Sequence, residues 1–541
     1  MSKTHKIILI IITLISFGLR FYQANNYPPL LWDEAAIGYN AYSILKTGRD
    51  EHGQLLPLIF KSFGDYKPGI YIYLTVPFVA IFGLTPLAVR LPSILIGSLM
   101  PLFLYFLIKA ISPKSDKVAL ISAILLTFNP WNLHFSRGAW ETNILTFQLI
   151  LASLLFLKKK YFPSAIIFAL GLYTYQAGKM IVPLIIFFLL VANFKTAKKD
   201  FKILLTKFVI PLFILSLPII YGLLFSQDSN RLKVLSLTSY PRSNEEKELI
   251  IKESSQFDYT LFHSQPIFFL RNFCSRYFNH FSTRFLFFEG DWQNLRHSAP
   301  YIGVLLYPSL IFLVIGLLNY SSTSLFFLLW LVFAPIPGAL TRDTVTAVRT
   351  LSMSIPLIYF IALGLNSTLT YLKKYSHLIY SSSILLIFFS FFLSFLYYQD
   401  LYYYHLVKKD PIQLLYGYQQ AIDFVVKNKE KYKDSNIYFT DFYGQPYIYY
   451  LFYTKYPPQI YQQQSHIIEG SNGDTGIVRQ IDNLYFRTAH FDFIKENPHT
   501  LGIFAQEEVY RQNLESRPEF KKFIPLSPIN TISTFYAYEQ E

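Results

Sequence analysis

A single cysteine, Cys274, stands among 541 residues, which excludes an internal disulfide and any cysteine-based zinc site. Charge is scarce as well. Asp, Glu, Lys and Arg make up 15% of the chain, where an ordinary soluble domain carries roughly 25%. There is no P-loop and no dinucleotide fingerprint, which disfavours an ATP or nucleotide-sugar donor. No internal repeat or low-complexity segment stands out. No small-residue cleavage site follows the first apolar run, 7–21; the chain continues Arg20-Phe21-Tyr22-Gln23 instead. This predicts an uncleaved first span rather than a signal peptide.

What is abundant is apolar and aromatic. Hydrophobic residues reach 52%, with 52 Phe and 42 Tyr, and place the chain in the membrane class. The net charge of +14 would suggest nucleic acid in a soluble protein. Here much of the excess lies in short lysine clusters between apolar runs, which the positive-inside rule explains without a nucleic-acid partner. Further apolar runs lie near 91–109, 117–133, 142–157, 161–177, 180–194, 203–224, 299–319, 323–337, 346–366 and 377–397. Backbone groups in hydrocarbon must be satisfied internally, so these runs predict helices.

Lysines orient the set. Placing the N-terminus and the clusters at 109–117, 158–160, 195–202 and 373–374 inside gives a consistent alternation. The expected fold class is an α-helical polytopic protein of the plasma (inner) membrane, with about 11–12 transmembrane helices. The apolar run 70–84 breaks the alternation and reads as re-entrant or interfacial. Segments 23–69, 134–141, 226–298 and 338–349 then fall outside, as does the chain beyond about 400. The expected domains are a membrane domain, 1–400, and a small extracytoplasmic α/β domain, 401–541. In the latter, 436–440 and 500–505 read as strands, and Gly444-Gln445-Pro446 opens a helix.

The chemistry-bearing residues cluster in the outer segments. Trp32-Asp33-Glu34 opens a stretch in which Ile37, Ala41, Ile44 and Leu45 recur at helical spacing, with Gly48 as its stop. A short helix on the membrane surface is expected. Taken alone, its acidic pair is explained by capping and the helix dipole. Asp65-Tyr66-Lys67-Pro68 brings a carboxylate and an ammonium to the outer interface, where Lys67 suits a phosphate or simply snorkels to headgroups. His134-Phe135-Ser136-Arg137 leads to Glu141, four residues beyond the arginine, so a helix ion pair is one reading and substrate contact the other. Arg296-His297 and Thr341-Arg342-Asp343, with Arg349 at a span boundary, add cations that serve as anchors or ligands. Together, basic outer loops and a first loop rich in carboxylates suit a lipid-linked phosphate with a base nearby.

At these residues the chain resembles the dolichyl-phosphate-mannose protein mannosyltransferases and the bacterial lipid A aminoarabinose transferases, of the GT-C class of integral-membrane glycosyltransferases. The resemblance rests on Asp33-Glu34, Lys67-Pro68, Ala88-Val89-Arg90-Leu91-Pro92-Ser93, the hairpin from His134 to Glu141, and Thr341-Arg342-Asp343. It runs through most of 1–400. The chain departs from the pattern in Gly69 for a second proline, Tyr66 between Asp65 and Lys67, and Glu141 for an aspartate.

The resemblance implies an inverting transfer from a polyprenyl-phosphate sugar to a protein hydroxyl, a lipid or a glycan. Asp33 would sit at the reaction centre as catalytic base, and Lys67 would contact the donor phosphate. Glu34, Asp65, Arg90, Arg137, Glu141, Arg296, His297, Arg342 and Arg349 are the further substrate-binding candidates. No cofactor is required, although some relatives bind a divalent ion and one remains open here. A transporter or flippase of lipid-linked sugars is the main alternative; it would share the bundle but would not need a carboxylate at the first helix, and such proteins often carry internal repeats. A membrane-anchored scaffold acting through 401–541 is the second.

Overall fold

Apolar helices and one mixed sheet dominate the computed structural model, which describes residues 3–225, 236–464, 467–469 and 476–540. Among the described residues, six helices are long and apolar enough to cross a membrane. They are Lys3–Phe21, Pro86–Ile111, Phe201–Gly222, Ser322–Ala339, Leu351–Leu372 and His377–Lys409. Five shorter apolar helices, Ile70–Phe82, Glu141–Leu157, Tyr161–Leu172, Gly178–Ala192 and Ser309–Leu318, complete the set. The protein is a multi-pass integral membrane protein.

The departures from the expected spans have local causes. The run 117–133 is two helices, Asp116–Thr127 and Pro130–Arg137, bent by 52°. Pro130 has no N–H to continue the ladder, and a proline disfavours helical geometry in the residue before it. Asn129 instead accepts the Asn132 N–H on its side chain at 3.1 Å, starting the second helix. In 299–319 only Ser309–Leu318 is α-helical, after a stretch with Pro300, Pro308 and a positive φ at Tyr301. The run 346–366 becomes regular at Leu351 and continues to Leu372. The run 70–84 forms the Ile70–Phe82 helix of 13 residues, with Pro77 inside it. The start of the expected outer segment 226–298, residues 226–235, lies outside the described residues.

The chain divides into two compact units. The first comprises Met1–Arg20, Ser93–Ser136 and Trp140–Tyr402. Within it Glu141–Leu157 packs on Tyr161–Leu172, and Ser309–Leu318 on Ser354–Leu372. Trp131 and Trp330 are among its largest buried side chains.

The second unit comprises Phe21–Pro92, Arg137–Ala139 and Tyr403–Glu541. The C-terminal segment therefore shares a unit with the first loop. It carries a six-stranded sheet in the order Gln480–Ile481, Leu484–Phe486, Ile437–Phe439, Thr500–Ala505, Phe535–Gln540, Ile524–Pro525. Ile437–Phe439 runs parallel to both its neighbours, and Thr500–Ala505 antiparallel to Phe535–Gln540. Phe491, Ile494, Phe504, Val509 and Leu514 pack a core against it. Pro446–Thr454 is helical. So 436–440, 446 onward and 500–505 take the expected forms.

The Trp32–Thr47 helix is the centre of this unit. Gly48 ends it at φ 70°, the left-handed region glycine tolerates, and returns its N–H to Ile44 O at 2.8 Å. The helix is not a half-exposed surface element. Glu34 to Ala41, Ser43 and Ile44 are all buried, and only one apolar member of its expected stripe, Leu45, is exposed. It packs on Ile70–Phe82 along one side and on Pro446–Thr454 along another. A Cβ at Gly38 would sit 2.6 Å from both Phe452 and Val89, so the close approach requires glycine. Tyr39 Oη donates to Tyr456 O at 3.1 Å, and Tyr449 Oη to Leu30 O at 2.9 Å. These bonds fasten the C-terminal segment to the helix that carries the acidic pair.

Candidate functional site

The two acidic residues at the start of that helix have separate fates. Leu31 occupies the N-cap position, and Glu34, three residues on, accepts the Leu31 N–H on Oε2 at 3.1 Å. Glu34 thus does the capping expected of Asp33. Its other bonds seal it in place. Arg90 Nε donates to Oε1 at 2.8 Å and Nη2 to Oε2 at 2.7 Å, a bidentate pair in which both side chains are buried. The Ala139 N–H donates to Oε1 at 2.9 Å. Arg90 also donates to Ala24 O at 2.9 Å and Pro29 O at 3.3 Å. Glu34 and Arg90, both named as substrate-binding candidates, tie the helix start to its surroundings. They position residue 33.

Asp33 is left as the accessible carboxylate, its side chain 38% exposed. Trp32 Nε1 donates to Oδ2 at 3.1 Å. Lys67 Nζ pairs with Oδ1. The lysine arrives on a hairpin, Ile59–Ser62 against Asp65–Pro68, turned through Phe63 and Gly64, both at positive φ. In this register Lys67 lies opposite Phe60, which is fully buried, and Lys61 opposite Tyr66. The ammonium also stands 5.2 Å from the Phe63 ring centroid. Asp65 turns back on the hairpin and accepts the Tyr66 N–H at 2.7 Å.

Arg137 is buried in the same unit. Its Nη2 donates to Tyr22 O at 2.7 Å and Tyr27 O at 3.4 Å, and its guanidinium lies 5.1 Å from the Tyr403 ring centroid. Arg137 ends one helix and Glu141 begins the next, so no shared helical face exists.

The other candidates belong to the first unit. Glu141 opens the Glu141–Leu157 helix. Arg296 and His297 share one 3-10 turn, Leu295–His297. His297 Nδ1 meets Asp291 Oδ2 at 2.9 Å, and that same oxygen accepts the Ala347 N–H at 2.9 Å. His134 Nε2 meets Arg296 O at 2.6 Å. Arg342 donates to Tyr240 Oη at 2.9 Å, and Arg349 pairs with Asp343. His297, His134, Arg342 and Arg349 thus each have a polar partner within the first unit. Among the described residues, no group of three or more His, Cys, Asp and Glu side chains is arranged to hold a metal ion.

Sequence reading passed over Asp50, Glu51 and His52, which follow the Trp32–Thr47 helix. Glu51 is fully buried, and its Oε1 accepts from Asn40 Nδ2 at 3.0 Å while its own N–H donates to Asn40 Oδ1 at 3.0 Å. Burial pushes its carboxyl up to about 8. Burial likewise holds the His52 imidazole down at about 4. The available signal was the run of three titratable residues itself.

A polytopic helical chain with a sheet-bearing C-terminal segment has the fold of the GT-C integral-membrane glycosyltransferases. Residues 10–172 match the family model of the dolichyl-phosphate-mannose-protein mannosyltransferases. That stretch contains Asp33, Lys67, Arg90 and Arg137. ArnT from Cupriavidus metallidurans in the apo state is similar over 99% of this chain and 98% of its own, at 10% identity and a TM-score of 0.53. The same protein bound to undecaprenyl phosphate gives 9% identity and a TM-score of 0.50 over the same shares. The archaeal oligosaccharyltransferase AglB from Archaeoglobus fulgidus gives 14% identity and 0.48, over 83% of this chain and 63% of that one. A search of the curated proteins returns no match. The family model covers residues 10–172, less than half of the chain, and the likeness to ArnT shows the fold.

Proposed function

We propose that this protein transfers a glycosyl group, with inversion, from a polyprenyl-phosphate-linked sugar to an acceptor hydroxyl on the outer side of the membrane. The observation that carries the reading is the Asp33–Lys67 pair: an accessible carboxylate and an ammonium, 34 residues apart in sequence, joined at the start of a helix whose other acidic residue is sealed. The match of residues 10–172 to the mannosyltransferase family and the ArnT-like fold support it. That ArnT has been solved with undecaprenyl phosphate supports a donor of the same chemistry here. The lysine clusters support an outer location for the first loop and the C-terminal segment.

The proposed chemistry needs a change of partner. In the structure Lys67 neutralises Asp33. A donor phosphate competes for that ammonium, and its arrival frees the carboxylate. Asp33 then takes the proton of the acceptor hydroxyl, whose oxygen bonds to the anomeric carbon from the face opposite the phosphate. The bond from that carbon to the phosphate oxygen breaks, and the polyprenyl phosphate leaves with the electron pair, its charge held by Lys67. Glu34 and Arg90 keep the helix start rigid through this exchange.

The test uses membranes containing the full chain and a labelled polyprenyl-phosphate sugar. Label is expected to enter protein, lipid or glycan with the natural chain and to be lost with Asp33→Asn and with Lys67→Met. Equal labelling in membranes lacking the protein refutes the reading.

A further inference from the structure

In the C-terminal sheet, Ile437–Phe439 and Leu484–Phe486 are adjacent and parallel. The chain leaves these two strands on opposite faces. Phe439 stacks with Tyr418, which in turn stacks on Tyr449 of the Pro446–Thr454 helix that follows the first strand. Tyr438 points the other way, as neighbouring strand residues do. It joins a core with Phe491 and Ile494 of the Phe491–Glu496 helix, which follows the second strand. Parallel neighbours whose connections part in this way leave a crevice beyond their carboxyl ends, the place where open α/β sheets bind ligands.

A cleft of about 460 Å³ lies there, lined among others by Tyr438, Arg479, Arg487, Thr488, His490 and Phe493. Its size falls within the usual range for small-molecule sites, roughly 300–1,000 Å³. Arg487 and Thr488 are the first two residues after Leu484–Phe486. The Arg487 N–H donates to Phe439 O at 3.0 Å, and Arg479 O accepts the Phe486 N–H at 2.8 Å. The sheet itself thus fixes the backbone of both arginines.

The chemistry of the lining selects the ligand. The Arg487 guanidinium lies 4.6 Å from the Tyr438 ring centroid and 5.5 Å from that of Phe493, so two rings hold it in place. Among the described residues it has no carboxylate and no hydrogen-bond acceptor. Arg479 gives one bond, to Asp441 Oδ2 at 3.1 Å. No Asp or Glu lines the cleft, so its charge is positive. Thr488 and His490 add a hydroxyl and an imidazole. All four polar residues are exposed, within reach of a ligand in the cleft.

We propose that this cleft binds a small anionic ligand, one that carries a carboxylate or a phosphate monoester. The Arg487 guanidinium is a planar fork of N–H donors that matches either anion through two parallel bonds. Because it is already stacked on Tyr438, it loses less side-chain freedom on binding than an unsupported surface arginine would. Arg479 supplies a second cation, and Thr488 a neutral donor. The site is independent of the transfer reading and of the Asp33–Lys67 pair.

Calorimetry on the purified full chain in detergent tests this, with glucuronate as the carboxylate probe, glucose 6-phosphate as the phosphate probe and glucose as the neutral one. At least one of the two anions is expected to bind, and the tighter of them names the group the site takes. Glucose is expected not to bind. Arg487→Gln is expected to weaken the bound anion about tenfold or more, through loss of the charge-assisted pair. Arg479→Gln, which leaves the stack of Arg487 on Tyr438 untouched, is expected to weaken it as well. Arg511→Gln removes another exposed arginine, one stacked on Phe442 outside the cleft, and is expected to leave binding unchanged. Binding of neither anion, equal binding of glucose, or an anion affinity that neither cleft substitution lowers below that of Arg511→Gln overturns the site.

Discussion

Replacing Arg90 with methionine separates positioning from chemistry at this site. Arg90 is fully buried and meets Glu34 through two bonds of 2.8 and 2.7 Å. Removing it leaves a buried carboxylate whose remaining bonds are backbone N–H groups of Leu31 and Ala139. Breaking one side of a buried ion pair costs about 3–5 kcal/mol. Ala24 O and Pro29 O also lose a donor, at about 1 kcal/mol each. Methionine recovers part of this by filling the space of the arginine stem. A net loss of about 4 kcal/mol is a large share of a typical folding stability of roughly 5–15 kcal/mol. The expected result is a fall of several degrees in the unfolding temperature of the purified protein in detergent. Transfer should fall with it, and the loss should deepen on warming. Glu34→Gln should destabilise comparably, because it strands the guanidinium charge. The double variant should cost less than the sum of the two, with a coupling of about 1–3 kcal/mol. If Arg90→Met unfolds with the natural chain and simply loses donor affinity, Arg90 is a substrate ligand and the positioning argument fails.

Three further outcomes follow from the same geometry. Glu51 binds its proton more tightly folded, at about 8, than unfolded, near 4.5. Its contribution is therefore full below about 4.5 and is lost as pH rises toward 8, by up to roughly 1.4 kcal/mol per pH unit; Glu51→Gln should flatten the pH dependence of thermal unfolding across that window, and an unchanged slope would contradict the burial argument. Gly38→Val should destabilise by about 1–3 kcal/mol or more through overpacking against Phe452 and Val89, and a normal unfolding temperature would show that the approach is looser than described. Removal of 403–541 should abolish transfer even with Asp33 and Lys67 intact, because it strips Pro446–Thr454 from the Trp32–Thr47 helix; full activity of the truncated chain would refute that support.

Local chemistry alone reads Asp33 as a helix cap and Lys67 as a phosphate ligand or an interfacial anchor; the family resemblance is what singles the two out, and the structure pairs them. Gly48 does mark the helix end in the sequence. The strands at 437–439 and 500–505 showed in their apolar β-branched and aromatic residues. Contacts over long sequence distance were not legible. Nothing near Glu34 marks Arg90, 56 residues on, as its partner. The C-terminal segment looked separable because composition changes near 400; its tyrosines reach back to Leu30 and to the Tyr39 side chain only once folded. Hydropathy also counts apolar residues without asking where the backbone ladder breaks. Asn129-Pro130 and Pro300 to Pro308 interrupt runs that composition alone joins.

The exchange of Lys67 from carboxylate to phosphate is tested most directly on Asp33→Asn, with undecaprenyl phosphate affinity and single-turnover transfer measured on the same purified protein. Loss of the competing carboxylate charge should leave the lipid phosphate bound at least as tightly as in the natural chain. Transfer from the saturated donor complex should fall by about 10²–10⁴-fold, the usual contribution of a general base. Transfer at the natural rate with donor bound would contradict the account.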